Sequence, residues 1–169
     1  DISLYCFYKQ NMAGHATQCA ISENSILISY WFYKQNNAED ASGIHATAMG
    51  EALVMAVKSG VELSRAWEAL KIGASESWCM HHDAPSVFAG HYDPSFTLDL
   101  CQKDLNLIVQ ACDDAGTEAP TTRLVCDRFE MAKKKYGGDK GELHVVKLEE
   151  DAADVSLQMD GNWTPHWEK

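Results

Sequence analysis

The pentapeptide Phe-Tyr-Lys-Gln-Asn occurs twice, at Phe7–Asn11 and again at Phe32–Asn36. A lysine beside amides is either an acid that gives a proton to a substrate or part of a solvated turn of helix. The residues downstream distinguish the two copies. Asn37 stands three residues after Lys34, a spacing that puts both side chains on one face of a helix. Lys9 is followed four residues later by Ala13, which has no amide.

Other sets of reactive side chains are weaker. His81, His82, Asp83, His91 and Asp93 are competent metal ligands by type. Adjacent histidines in an extended stretch point to opposite sides, however, and the spacing fits no zinc pattern, so hydrogen bonding within a loop is the default and no metal is expected. A thiol nucleophile needs a nearby base and a lowered pKa. Cys101 and Cys112 instead fall on an apolar helical stripe, where packing is the expected role. Lys103 and Asp104 lie in the second turn of that helix, and Asp99 is spaced to pair with Lys103 along its surface. The 169 residues contain no G-x-G-x-x-G, no P-loop, no H-E-x-x-H and no G-x-S-x-G.

The elements that must position these residues read as helices. Leu98, Cys101, Leu105, Ile108, Val109 and Cys112 repeat at helical spacing, with Asp99, Gln102, Asn106, Gln110 and Asp113 on the other side and Gly116 as the stop. A second helix runs from about Ala38 to Lys58. Its Ile44, Ala48, Ala52, Met55 and Ala56 form a stripe of small and flexible side chains suited to close helix contact. Leu63, Ala66, Trp67 and Leu70 give a third, with Ser64 as a possible cap. Pro120 opens a fourth, which Gly137 and Gly138 close. A shorter one covers "GELHVVKLEEDAA". The stretch "CMHHDAPSVFAGHYDPS" reads as a long ordered loop, "SILISYWF" as a weak strand or the opening of the first helix, and the end as a packed aromatic tail. The expected fold class is all-α.

Composition narrows the partners. A net charge of −11 argues against nucleic acid and anionic membranes, since phosphate binding needs clustered Lys and Arg. The run Lys133–Lys134–Lys135 suits the last turn of a helix, where cations meet the dipole favourably. No apolar run approaches the ~20 residues that cross a bilayer. The six cysteines include no C-x-x-C pair and are expected to be reduced thiols in a cytoplasmic protein.

Several segments together carry a family resemblance: Asn36–Asn37, "ATAMGEALVMAVKSGVE" at Ala46–Glu62, "FAGHYDPSFTLDLCQKDLNLI" at Phe88–Ile108, and "ACDDAGTEAPTTRLVCDRFEMAKKKYGG" at Ala111–Gly138. In this order the chain from about Lys34 to Ala153 resembles the C-terminal helical domain of the β-hydroxyacid dehydrogenases, a family that includes 3-hydroxyisobutyrate dehydrogenases, 2-hydroxy-3-oxopropionate reductases and the related part of 6-phosphogluconate dehydrogenase.

The resemblance implies a helical bundle that closes the active-site cleft and supplies most of a homodimer interface, while an N-terminal Rossmann domain holds NAD or NADP. It implies that Lys34 is the general acid and that Asn37 and Phe96 contact a small β-hydroxy acid. It also implies that Lys103, of the K-D-L segment, reaches the cofactor. Residues 34–169 would then form the dehydrogenase-like domain and residues 1–33 an N-terminal extension of unclear role. The Rossmann half lies outside these residues, so the isolated chain is expected to be inactive. Two departures from the family pattern stand out: no glycine-rich turn precedes Lys34, and its fourth neighbour is Ala38 rather than asparagine. They motivate a second reading, a helical dimerisation or binding module that kept the fold and lost the chemistry.

Overall fold

In a computed structural model the backbone is described at residues 23–93 and 96–163, and side chains at 41–93 and 96–163. By its contacts the chain divides into two units, Asp1–Tyr33 and Lys34–Lys169. The first copy of the pentapeptide, with Lys9, and Trp167 lie outside the described residues. The described residues form six helices in order: α1 (Glu23–Lys58), α2 (Leu63–Ile72), α3 (Trp78–Phe88), α4 (Leu98–Ala115), α5 (Pro120–Tyr136) and α6 (His144–Ala153). Among the described residues the only β pairing is one antiparallel bridge, Thr97 with Gly141. The all-α expectation holds.

α1 begins earlier than its periodicity suggests, so "SILISYWF" opens a helix rather than forming a strand. Its buried face matches the expected stripe only in part, with Ile44 and Ala56 half-buried against the core. Ala46, Met49, Leu53 and Val54 are buried, while Ala48 is exposed and Met55 is 67% exposed. Small residues do make the close contacts, but they are Gly43, against Val125 and Phe129 of α5, and Gly50, against Val146 of α6. α2 buries Ala66 and Trp67 as its pattern predicts. Ser64 does not cap it: Glu62 occupies the cap position, and the Ser64 hydroxyl donates to the Glu62 carboxylate at 2.7 Å.

The expected long loop contains α3. Ser77 caps it, accepting from the Met80 N–H at 3.2 Å. Met80, Ala84, Val87 and Phe88 fall at helical spacing and are buried. Pro85 is inside the helix, yet burial of this stripe outweighs the backbone bond that a proline forfeits.

α4 conforms closely to its pattern. Thr97 caps it, and Gly116 ends it in the left-handed conformation at φ 68°, which glycine adopts without a steric penalty. Pro120 stands at the first turn of α5. The seams between α4 and α5 and between α5 and α6 hold the main body of the unit, around Phe88, Leu98, Leu105, Phe129, Val145 and Val146. On the α5–α6 surface Lys135 and Tyr136 both donate to Asp151. These two bonds hold the Asp151 carboxyl at about 2.

The tail is packed through residue 163. Glu150, fully buried on α6, accepts from the Tyr92 hydroxyl at 2.6 Å and from the Leu157 N–H at 2.5 Å. Trp163 lies edge-on to Phe88 at 5.0 Å, and its indole N–H donates to the Met159 carbonyl.

Candidate functional site

The lead-in to α4 is fixed by its backbone. The Glu142 N–H donates to the Phe96 carbonyl at 2.8 Å, and the Leu98 and Asp99 N–H groups donate to the carbonyls of Lys140 and Gly138 at 2.8 and 2.9 Å. Gly141 permits this approach, since a Cβ there would lie 2.3 Å from the Tyr92 carbonyl oxygen. Phe96 is consequently held half-buried, with its ring against the core.

In the second turn of α4, the Lys103 ammonium sits 2.9 Å from Asp104 Oδ1. The Lys103 side chain is 60% exposed and that of Asp104 only 15%. A largely buried carboxylate thus anchors an accessible cation. The expected pairing of Asp99 with Lys103 does not occur. Asp99 takes Lys133 at 2.7 Å, because the Gly138 loop folds the end of α5 over the first turn of α4. A Cβ on Gly138 would lie 2.2 Å from the Asp99 carboxylate.

Lys34 and Asn37 are in α1, on its backbone before the described side chains begin. Their position relative to Phe96 and Lys103 therefore rests on helix register alone. Further along α1, Ser42 meets the first turn of α3, where the Cys79 thiol donates to its hydroxyl at 3.6 Å. Burial raises the Cys79 pKa, opposed by the Ser42 bond. A thiol held protonated in this way is a poor nucleophile.

Asp83 is buried, and His82 Nδ1 lies 2.7 Å from its Oδ1. Burial raises the Asp83 pKa, with the His82 bond pulling the other way. The buried carboxylate of Glu142 acts electrostatically on Cys79. Asp83 and Glu142 are buried carboxylates that both act on Cys79, a burial that residue type alone does not announce. For Asp83 a signal exists, since it lies within the apolar period of Met80, Ala84 and Val87. Glu142 owes its place to the pairing of residue 142 with Phe96, which no local pattern announces.

The five possible metal ligands go to separate partnerships. His81 meets Glu76 at 3.4 Å and the Trp67 ring at 5.9 Å. His82 pairs with Asp83 and stacks on Trp78 at 4.3 Å. His91 Nδ1 accepts from the Asp93 N–H. Among the described residues no group of three His, Cys, Asp or Glu side chains is placed to hold a metal, and no described helix is long and apolar enough to cross a membrane.

The arrangement offers one face of a site. Lys103 can hold an anionic or hydroxyl-bearing group, and Phe96 can wall a small substrate. That chemistry fits part of a dinucleotide, but the 169 residues include no glycine-rich loop to cradle its pyrophosphate.

Known proteins share both sequence and fold with this chain. The L-threonate dehydrogenase of Haemophilus influenzae is 31% identical over 120 residues, covering 71% of this chain and 39% of that enzyme. The 2-(hydroxymethyl)glutarate dehydrogenase of Eubacterium barkeri is 26% identical over 116 residues, covering 68% of this chain and 38% of that enzyme. A crystal structure of 3-hydroxyisobutyrate dehydrogenase from Salmonella typhimurium matches with a TM-score of 0.63 at 23% identity, over 68% of this chain and 40% of that one. The chain therefore spans well under half the length of these relatives. A family model described as NAD-binding of NADP-dependent 3-hydroxyisobutyrate dehydrogenase matches residues 40–148. The chain belongs to the β-hydroxyacid dehydrogenase family.

Proposed function

We propose that the chain is the helical half of an NAD(P)-dependent oxidoreductase acting on a small β-hydroxy acid, with the nucleotide-binding half supplied from outside these 169 residues. The observation that carries this reading is the accessible Lys103, anchored by Asp104 on the helix whose entrance holds Phe96, within the segment that matches the family. When bound, the nicotinamide supplies or accepts the hydride. Lys34 gives a proton to the carbonyl oxygen, where negative charge would otherwise build up, and takes it back in the oxidative direction. Asn37 and Phe96 hold the substrate, and Lys103 contacts the cofactor. α1 leaves Ala41, Ala48 and Met55 exposed at steps of one heptad, and position 34 is the next step back. This uncovered face is where the nucleotide-binding half and the second protomer of a homodimer would dock.

Reconstitution tests the reading. The full chain is co-expressed with the nucleotide-binding half of the Haemophilus influenzae relative and assayed with L-threonate and either cofactor. Hydride transfer that falls at least ~100-fold in Lys34→Ala supports it, that being the low end of what a general acid contributes.

The second reading is a non-catalytic dimerisation or binding module. It is favoured by Ala38, which stands four residues after Lys34 where the family pattern has asparagine. A folded pair that associates and transfers no hydride would establish it.

A further inference from the structure

The periodicity of α4 puts Gln102 on its solvent side, yet Gln102 is buried. Its Nε2 donates to Cys126 Sγ on α5 at 3.2 Å and to Asn106 Oδ1 at 3.4 Å. The Cys126 thiol in turn donates to Asn106 Oδ1 at 3.3 Å. The other end of the amide, Oε1, is buried and has no hydrogen-bond partner. Both bonds of Gln102 use one atom, so turning the amide over only exchanges which end is left unpartnered. An unpartnered amide end in the interior lowers stability, and an apolar side chain of the same length would avoid that loss.

The residue immediately after this clamp is Lys103. Aliphatic side chains slide against one another with little angular preference, whereas a hydrogen bond from α4 to α5 fixes the rotation of α4 about its own axis. Rotation decides where Lys103 and Asp104 point.

We propose that Gln102 is a positioning residue, which holds the second turn of α4 in the setting that presents Lys103 on its Asp104 anchor, at some loss of stability. The functional part rests on Lys103 being a cofactor contact. The Gln102→Met chain should have a Tm at or above wild type while losing the NMR signature of the Lys103–Asp104 pair, a Lys103 Cε–Nζ shift that responds when Asp104 is replaced by Asn. Cys126→Ser, which keeps a donor and acceptor at that site, should retain the signature. In the reconstituted enzyme Gln102→Met should raise KM for the nucleotide about tenfold and leave kcat within about twofold, the pattern of lost binding rather than lost chemistry.

A fall in Tm, or a Lys103 signal that does not move, overturns the proposal. So does an unchanged KM in a reconstituted pair that is active as wild type. If the wild-type pair is inactive, the dehydrogenase reading fails separately, and the Tm and Lys103 measurements on the chain alone decide the role of Gln102.

Discussion

Two glycines on α1 make opposite predictions from the same substitution. Replacing a helical glycine by alanine contributes about 1 kcal/mol through backbone entropy and propensity. At Gly43 the new Cβ would lie 3.4 Å from Val125 Cγ1 and 3.5 Å from Phe129 Cε2, which is ordinary contact. Gly43→Ala should therefore stabilise by about 1 kcal/mol, or roughly 2–4 °C in Tm for a domain of this size. At Gly50 the Cβ would lie 3.0 and 3.2 Å from the two Val146 methyls and 3.3 Å from the Val146 Cα. Rotating the valine would move its methyls but not its backbone, so α1 and α6 must separate. Overpacking of this kind costs about 1–3 kcal/mol, which cancels or exceeds the propensity gain. Gly50→Ala should be destabilising by about 1 kcal/mol, and by less than that on a Val146→Ala background, where the methyls it meets are gone. Thermal or urea unfolding of wild type, the three single variants and the double variant measures all of this. If Gly50→Ala proves as stable as Gly43→Ala, the close approach of α1 to α6 is not as tight as described, and the path of the helix that carries Lys34 is less constrained.

Two further predictions concern Tyr92 and His144, the first residue of α6. Tyr92→Phe deletes a hydroxyl donated to a buried carboxylate and should cost about 1.5–3 kcal/mol, as bonds to charged groups do; urea unfolding reads this directly. His144 is flanked by the Tyr92 and Tyr136 rings at 5.2 and 5.3 Å, and burial lowers its pKa, with the Gly141 carbonyl opposing and Lys140 and Lys147 adding to the effect. The unfolded chain then binds the proton more readily than the folded one. The contribution of His144 is full above the ordinary histidine pKa of about 6.5 and is lost as pH falls through the lower folded value. Tm should drop on acidification from neutral pH, and His144→Gln should flatten that part of the profile.

How much of the fold is legible in the sequence depends on how strongly each face contrasts with its opposite. α4 has leucine and isoleucine on one side, a threonine cap and a glycine stop, and its pattern locates it within a residue or so. α1 buries glycine and alanine beside Met49 and Leu53, so its inward and outward faces differ little in hydropathy, and the expected stripe is right at Ile44 and Ala56 but not at Ala48 and Met55. α3 is hidden by Pro85 and its histidines, although Met80, Ala84, Val87 and Phe88 already have the helical period. Asp99 illustrates a different limit. A local partner is available four residues on, but the chain reversal at Gly138 brings Lys133 instead, and nothing within α4 encodes that reversal. The same holds for Gln102, whose burial depends on Cys126 of a later helix. Family resemblance, rather than periodicity, singles out Lys34, Asn37, Phe96 and Lys103. Of these, the described side chains bring Phe96 and Lys103 to the same end of α4.

The role of Lys34 is tested most directly by the effect of Lys34→Ala on hydride transfer by the reconstituted pair, followed by nicotinamide absorbance, with association of the two halves checked in parallel. The wild-type rate should fall by two orders of magnitude or more in Lys34→Ala while association is retained. A rate that is unchanged in Lys34→Ala would contradict that role, because the proton must then come from a residue other than the one at the head of this helical domain.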